Sequence, residues 1–159
     1  MNAILSLLAK DARLTPSQLS TMTGIPEAEV SSQIDALVKA GVIKGYKTLI
    51  NWDRTEENRV TALIELKVSP KRDLGFDGIA KEILSFSEVE SVYLMSGGYD
   101  LAVTVVGDSF QEIAMFVARR LSPLDSVLST ATHFLLKKYK ESGVSFLEED
   151  PDERRPSLL

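Results

Sequence analysis

Cysteine is absent from this chain of 159 residues, and histidine occurs once, as His133. Without cysteine the chain can form no disulfide, no thiolate nucleophile and no zinc or iron–sulfur site with cysteine ligands. A single histidine also excludes a metal site built from several histidines of one chain. Most familiar metal and cofactor chemistry is thereby excluded, and we expect neither a metal nor a cofactor.

Long apolar runs are lacking as well. No stretch approaches the roughly 20 apolar residues that a membrane span requires, and the first residues lack the basic-then-apolar pattern of a secretory signal. Hydrophobic residues nevertheless make up 44% of the chain, which suits a packed core in one ordinary domain or two small ones. We therefore expect a globular, cytoplasmic protein with no membrane partner.

Positive charge is scarce, since the formal net charge is −5. A net negative charge is unfavourable for binding nucleic acid, because it repels the phosphates. The deficit is uneven along the chain. Residues 1–50 carry five cations and four anions, whereas the rest is acidic and ends in an acidic tail at 141–159. The run Glu148–Glu153 in that tail is interpreted as solvated. This division favours a small, nearly neutral binding module attached to a larger acidic regulatory one.

Two short helices are predicted before residue 25. The first spans Asn2–Ala9 and needs to pack against its neighbours, because it is too short to be stable alone. The second begins in Thr15–Gln18, which has the form of a capping box with proline at the first helical position, and it ends at Gly24. The apolar residues of the two helices are Ile4, Leu5, Leu7, Leu8, Leu19 and Met22.

A third helix is predicted from Glu27 to Ala40, and any contact with DNA depends on it. Pro26 suits a first helical turn, the helix dipole favours anions such as Glu27 and Glu29, and Gly41 ends the helix. Its apolar face comprises Val30, Ile34, Leu37 and Val38. With the preceding helix it fits a helix-turn-helix, although from these residues alone an ordinary helical hairpin is the favoured interpretation.

The next segment separates two domains in this interpretation. Val42–Ile43 and Tyr46–Ile50 are predicted to be short extended pieces. Residues 51–59 are charged and lack apolar periodicity, so we expect a solvated linker between a domain at 1–50 and one at 60–140.

From Val60 the apolar pattern changes to a period of two, which predicts a strand ended by Pro70. The buried positions of this strand are Ala62, Ile64, Leu66 and Val68, alternating with Thr61, Leu63, Glu65 and Lys67. Further strands are predicted at Val89–Ser96, Tyr99–Gly107 and Val127–Leu136. Two amphipathic helices are marked by Phe76, Ile79, Ala80, Ile83 and Leu84, and by Phe110, Ile113, Ala114, Val117 and Leu121. The order βαββαβ predicts a ferredoxin-like antiparallel sheet with both helices on one face, in an α+β protein.

Two details of this sheet bear on function. Gly97-Gly98 predicts a tight hairpin with a primed turn. The sheet face opposite the helices still carries large apolar residues, such as Leu94 and Val106, and therefore needs cover. The first domain or the tail could supply that cover, but we favour a second copy of the chain, because homodimers are the commonest solution.

Taken together, these features resemble the Lrp/AsnC family of bacterial and archaeal feast/famine regulators. The resemblance covers nearly the whole chain. Its most specific parts are Gly41-Val42-Ile43 with Gly45-Tyr46, the turn Gly97–Asp100 after Tyr93–Ser96, and Thr130 and Thr132 on the last strand. It implies a winged or strand-extended helix-turn-helix that binds operator DNA and an effector domain that dimerises through its sheet. It also implies assembly to tetramers or octamers and a response to an amino acid or similar metabolite.

The chain departs from the family pattern in its third helix. Family members usually carry several basic residues there, whereas this chain has Ser32, Gln33, Asp35 and Ala36 at the corresponding positions. Pro26 also replaces the usual serine at the start of that helix, so a side-chain cap worth about 1 kcal/mol is absent. Attraction to DNA phosphates is weakened accordingly.

Candidate DNA-binding residues follow from this alignment. Gln33 is the best candidate for reading a base, because glutamine can bond bidentately to adenine, although a solvated helix residue is an equally good interpretation. Ser31 and Ser32 are expected near the groove with Gln33. The residues expected toward the phosphates are Thr21, Thr23, Lys39, Lys44 and Lys47.

Candidate effector-binding residues lie at the central hairpin, in the turn Ser96, Gly97, Gly98, Tyr99 and Asp100. Unhindered backbone N–H groups there suit a carboxylate, and Asp100 suits an ammonium, so together they suit an α-amino acid. The alternatives are a plain tight turn and an aspartate that bonds backbone. The family resemblance implies that Thr130 and Thr132 line the same region.

Two functions other than transcription regulation are compatible with parts of the sequence, namely catalysis and metabolite binding without DNA binding. His133 is interpreted as a packed or interfacial residue rather than as a catalyst or a pH switch. Trp52 and Tyr46 are interpreted as anchors of the domain junction rather than as a stacking platform for nucleic acid. The sirohaem decarboxylases resemble these regulators in architecture, but such an enzyme should need several histidines or arginines in a pocket. A metabolite-binding module without DNA binding of its own remains a second alternative, because the third helix is poorly basic.

Overall fold

A computed structural model describes residues 2–69 and 75–147. The chain divides into two compact units, Met1–Ile50 and Asn51–Leu159. Pro70, predicted to end the first strand, and the acidic run Glu148–Glu153 lie outside the described residues.

The first unit contains three helices, α1 (Ala3–Leu8), α2 (Pro16–Thr23) and α3 (Glu27–Lys39). Each contributes one fully buried residue to a small core, namely Ile4, Leu19 and Val30. Around these pack the partly buried Leu7, Leu8, Leu14, Ile25 and Ile34. The predicted three-helix core is confirmed.

Local sequence signals set the ends of these helices. In the capping box, Thr15 Oγ1 accepts a hydrogen bond from the Gln18 N–H at 3.2 Å, and Gln18 Oε1 accepts one from the Thr15 N–H at 2.9 Å. Beyond α3, the N–H groups of Gly41 and Val42 bond back to Val38 and Leu37, with Gly41 at φ +70°. This is a Schellman ending, which requires a residue that tolerates a left-handed conformation.

Three predictions in this unit need correction. Met22 is 57% exposed and Val38 is 48% exposed, so neither belongs to the core, which is too small to cover the full apolar stripe of each helix. Pro26 precedes α3 in an extended conformation, with ψ 140°, and is the N-cap rather than a residue of the first turn. The predicted extended pieces form no strand in residues 41–50, because they pair with no other described segment of this unit.

The second unit contains a four-stranded antiparallel sheet with two helices. Its strands are β1 (Val60–Val68), β2 (Val89–Leu94), β3 (Leu101–Gly107) and β4 (Val127–Phe134), in the order β2-β3-β1-β4. The helices are α4 (Gly75–Ile83) and α5 (Phe110–Phe116), the latter continued by a π-helical turn at Val117–Leu121. The predicted ferredoxin-like arrangement is confirmed.

One face of this sheet packs on the helices. The buried residues of this core are Ala62, Ile64, Leu66, Val68, Leu101, Val103 and Val105 from the sheet, and Ile79, Ile83, Ile113, Phe116, Val117 and Leu121 from the helices. The alternation predicted for β1 is therefore confirmed. Leu84, Phe110 and Ala114, predicted on the apolar helix faces, are exposed. Leu84 lies beyond the end of α4, and the Phe110 ring packs against Phe134, with ring centroids 4.8 Å apart.

The segment before β1 is ordered by its own contacts. Trp52–Arg54 forms a single 3₁₀ turn. The Arg59 guanidinium lies 4.8 Å from the centre of the Trp52 ring and forms a 3.2 Å ion pair with Glu90 of β2. These contacts hold the segment against the second unit, and charge composition alone did not indicate them.

A small hairpin follows the sheet and was missed from the sequence. Its strands are β5 (Lys140–Glu141) and β6 (Val144–Ser145). The two turn residues, Ser142 and Gly143, both have positive φ, at 48° and 85°, as a type I′ turn requires. The signal available was Ser-Gly between two short segments, but those segments are too brief to show a strand period.

Candidate functional site

The turn between α2 and α3 is fixed by hydrogen bonds. Gly24 has φ +73°, and its N–H bonds to the Ser20 carbonyl at 2.8 Å. Thr23 Oγ1 donates to the Leu19 carbonyl at 2.7 Å and accepts from the Ile25 N–H at 3.3 Å. Thr23, predicted near phosphate, thus has its hydroxyl engaged in the turn. Thr21 lies exposed, with its hydroxyl donating to the Ser17 carbonyl at 3.1 Å.

The predicted base-reading residues lie on α3 with different exposures. Ser32 is exposed, and Ser31 and Gln33 are half-buried. The Gln33 amide nitrogen donates to Glu29 Oε1 at 3.1 Å, one helical turn earlier. Sequence spacing permits this bond, since i and i+4 side chains meet on a helix, but it was not predicted.

The predicted phosphate-binding cations are all exposed and lie at and beyond the end of α3. Lys39 occupies its last turn, and Lys44 and Lys47 follow within eight residues. The Lys44 ammonium folds back toward Gly41, so a methyl group added there would meet its Nζ at 3.0 Å. The cationic groups are therefore clustered at one end of the helix, whereas Glu27 and Glu29 occupy the other.

In the second unit the predicted effector turn is longer than expected. The N–H of Met95 bonds to the Asp100 carbonyl at 2.8 Å, which leaves a four-residue connection of Ser96, Gly97, Gly98 and Tyr99. Of the two glycines only Gly97 has a positive φ, at 156°. The predicted two-residue primed turn is therefore wrong, because β2 ends at Leu94 and β3 begins at Leu101. Ser96, Gly97 and Gly98 are exposed, and Tyr99 is half-buried.

Asp100 connects two strands at this end of the sheet. Its Oδ2 accepts a hydrogen bond from the Val68 N–H at 2.8 Å, and its own N–H donates to the Leu66 carbonyl at 2.9 Å. The carboxylate is partly buried and stabilises the end of β1. This is close to the structural alternative weighed for Asp100, although the backbone that it binds belongs to a neighbouring strand.

The threonines lie on the other side of β1. Thr130 is paired in register with Leu66, and Thr132 with Ile64. Leu66 is also the partner of Leu101, the residue after Asp100. The structure thus brings Asp100 and Thr130 to the same end of the sheet, on either side of β1, while Thr132 lies two residues farther along β4.

The strand register also decides which side chains lie on the open face, which is the sheet face opposite the helices. Val106 pairs with Thr61 on this face, as predicted, but Leu94 pairs with the buried Leu101 and belongs to the helix side. The register shift between Val89 and Ser91 displaces the alternation along β2. The exposed apolar residues of the open face are Leu63, Tyr93 and Leu135.

His133 and Glu65 face each other across the open face between β1 and β4. His133 Nε2 lies 3.4 Å from Glu65 Oε1, and both side chains are partly exposed. The His133 side chain is 56% exposed, so it is not packed within this chain, and its alternative role as an interfacial residue stays a prediction.

A cleft of about 260 Å³ was not predicted from the sequence. It is lined mainly by acidic and polar residues, namely Glu57, Asn58, Arg59, Ser87, Glu88, Val106, Gly107, Asp108 and Glu112. One carboxylate oxygen of Glu112 is already engaged in a hydrogen bond there, because its Oε2 accepts the Asp108 N–H at 2.6 Å. The cleft is lined by none of the predicted effector residues.

Comparison with known proteins decides the family. Residues 61–145 match the Lrp/AsnC ligand binding domain, and residues 2–44 match a winged helix-turn-helix DNA-binding domain. The chain belongs to the Lrp/AsnC family. It is a DNA-binding transcriptional regulator of that type, and its second unit is the family's ligand-binding domain.

Two relatives illustrate the match across the Lrp/AsnC family. An uncharacterized HTH-type transcriptional regulator of Bacillus subtilis, YugG, is 49% identical over 152 residues, which cover 95% of this chain and 92% of the relative. A proline dehydrogenase transcriptional activator of Rhizobium radiobacter is 25% identical over 141 residues, covering 89% of this chain and 90% of the relative.

Solved Lrp/AsnC structures share the fold. MtbAldR has a TM-score of 0.74 at 24% identity, covering 87% of this chain and 92% of that one. A regulator from Neisseria meningitidis, solved as a complex with L-Met, has a TM-score of 0.71 at 22% identity, covering 87% of this chain and 89% of that one.

The described residues contain neither a candidate metal site nor a helix that could span a membrane. Residues 2–69 and 75–147 hold no group of three or more His, Asp or Glu side chains placed to bind a metal ion. No helix in the same ranges is long and apolar enough to cross a membrane.

Proposed function

We propose that this regulator binds operator DNA through α3 and changes its binding in response to an amino acid held at the Asp100 end of the sheet. The observation that carries the effector part is the half-buried Asp100 beside the exposed residues Ser96, Gly97 and Gly98, at the end of the sheet where Thr130 also lies. Backbone N–H groups of that turn would receive the carboxylate, and the free oxygen of Asp100 would face the ammonium. The complex of the Neisseria relative with L-Met supports an amino acid as the ligand class.

For DNA, we propose that Gln33 reads a base and that Ser31, Ser32 and Thr21 lie along the groove. Lys39, Lys44 and Lys47 would contact phosphates, and Thr23 would set the turn that orients α3. With three candidate cations per subunit, affinity would depend on two or more subunits engaging half-sites one helical turn apart.

We infer that two copies of the chain associate through the open face and that such dimers assemble further. Leu63, Tyr93 and Leu135 leave apolar surface on that face, and a twofold pairing would cover it. The protein would act in the cytoplasm, where its operator lies, and without catalysis, as its relatives named as regulators suggest.

Calorimetry with each of the twenty amino acids tests the effector proposal. We expect one amino acid, or a small group of similar ones, to bind the full chain and to alter its affinity for DNA. Heat of binding from none of them, on protein that still binds DNA, would overturn the amino-acid assignment.

A metabolite-binding module without DNA binding of its own is the second candidate. It is favoured by the acidic start of α3, where Glu27 and Glu29 would approach phosphates. A gel shift with the DNA upstream of the protein's own gene distinguishes the two, because the second candidate alone predicts no retarded band.

A further inference from the structure

Gln33 and Glu29 form a hydrogen-bonded pair on the surface of α3. The Gln33 Nε2 donates to Glu29 Oε1 at 3.1 Å, and the two residues lie one turn apart. Glu29 is exposed and Gln33 is half-buried, so neither side chain is enclosed by the core of the unit. The pair is therefore accessible from solvent in the helix that the family uses to contact DNA.

This bond changes what the glutamine can offer to a base. A glutamine amide has two N–H donors and one acceptor oxygen. Adenine presents a donor, N6, beside the acceptor N7, whereas guanine presents two acceptors, O6 and N7. An unrestrained amide can match adenine with one donor and its oxygen, or guanine with both donors. When one donor is held by a carboxylate, the remaining donor and oxygen match adenine alone.

We propose that Glu29 is a specificity-determining residue that restricts Gln33 to adenine. It does so by occupying one of the two amide hydrogens and by placing negative charge where guanine would present a second acceptor. The inference rests on the proposed role of Gln33 as the base reader. It also explains the acidic start of α3, since Glu29 weakens attraction to phosphates while it sharpens the choice of base.

The chain offers a matched control in Glu27. Glu27 and Glu29 both lie in the first turn of α3 and carry the same charge, so both interact with the helix dipole and repel DNA. Only Glu29 lies four residues before Gln33 and forms the bond. Glu27→Ala therefore reports the loss of charge alone, and Glu29→Gln removes the charge while it retains an oxygen that can accept from Gln33.

The experiment selects binding sites from randomised DNA with the full-length wild type and with Gln33→Ala. The position at which the wild type requires adenine and Gln33→Ala does not is the base read by Gln33. Dissociation constants are then measured for adenine and guanine at that position, using wild type, Glu29→Ala, Glu29→Gln and Glu27→Ala. Circular dichroism establishes that each variant keeps its helices.

We expect the wild type and Glu27→Ala to prefer adenine by about tenfold or more, as a good bidentate contact gives. Glu29→Gln should retain most of this preference, whereas Glu29→Ala should fall to less than about threefold. An undiminished preference in folded Glu29→Ala would overturn the inference and leave the DNA proposal intact. If Gln33→Ala keeps every base preference of the wild type, Gln33 is not the reader, and the inference fails with that part of the proposed function.

Discussion

Asp100 combines a structural contact with a candidate ligand contact. Oδ2 of its carboxylate accepts the Val68 N–H at 2.8 Å, and in the proposed function the other oxygen would face the ammonium of the ligand. The sequence indicated an aspartate after a glycine-rich turn, but not that it would hold a strand 32 positions earlier. Long-range contacts of this kind depend on strand register, which local spacing does not define.

Two substitutions separate these roles. Asp100→Asn keeps an oxygen that can accept from Val68 but loses the charge, so we expect the amino acid to bind at least tenfold more weakly with little change in stability. Asp100→Ala should also leave the Val68 N–H unsatisfied and lower the free energy of unfolding by about 1 kcal/mol. Calorimetry and urea unfolding measure the two effects. Unchanged amino-acid binding by Asp100→Asn would remove Asp100 from the site.

Thr23 shows the same limit at a single position. Its place before Gly24 suggested a polar group near DNA, yet its hydroxyl bonds to Leu19 and Ile25 and fixes the turn. The residue type was predictive of a polar role but not of its partner, because serine and threonine bond local backbone as readily as a ligand.

At the scale of elements, prediction succeeded where one local signal decides the outcome. The capping box at Thr15–Gln18 and the alternation of β1 are both confirmed. Prediction failed where pairing decides, as for the turn at Gly97-Gly98 and the face of Leu94, and where elements are short, as for β5 and β6. A two-residue strand carries no period, so only its turn could have indicated it.

The end of α3 gives a prediction about stability with an internal control. Gly41 has φ +70°, and an added Cβ would meet Lys44 Nζ at 3.0 Å, whereas the space around Gly45 is open and its φ is not positive. Gly41→Ala should therefore lower the free energy of unfolding by about 1–2 kcal/mol, since a left-handed non-glycine residue costs that much.

Gly45→Ala should change the same quantity by less than about 0.5 kcal/mol or raise it slightly. Thermal or urea unfolding of both variants provides the measurement. Equal destabilisation by the two substitutions would contradict the importance of the left-handed residue at the end of α3.

At the scale of the whole molecule, charge limits how the regulator can hold DNA. The net charge of −5 and the three candidate phosphate contacts of each subunit predict weak binding by one subunit. Each phosphate contact contributes about −0.9 to the slope of log K against log salt concentration, so one subunit should give a slope of about −3 and a pair a slope of about −5. Titration of affinity against salt tests this, and a slope far steeper than about −3 for a monomer would be inconsistent with it.

The proposed association through the open face predicts that a charge introduced on this face gives a monomer. Leu63 lies in the middle of β1 on that face, so Leu63→Lys should separate copies of the chain and weaken DNA binding by at least tenfold. Leu84→Lys, at an exposed leucine just beyond α4, is the control for adding a lysine elsewhere. Sedimentation gives the oligomeric state. A folded Leu63→Lys monomer that binds DNA as tightly as the wild type would disprove the dependence on assembly.

The most direct test of the central claim is the affinity of the full-length protein for the DNA upstream of its own gene, measured with and without each amino acid. We predict that wild type binds this DNA specifically and that the amino acid identified by calorimetry changes the dissociation constant at least threefold. The same amino acid should leave the affinity of Asp100→Asn unchanged. Equal affinity for this DNA and for unrelated DNA, with no change on addition of any amino acid, would contradict the account.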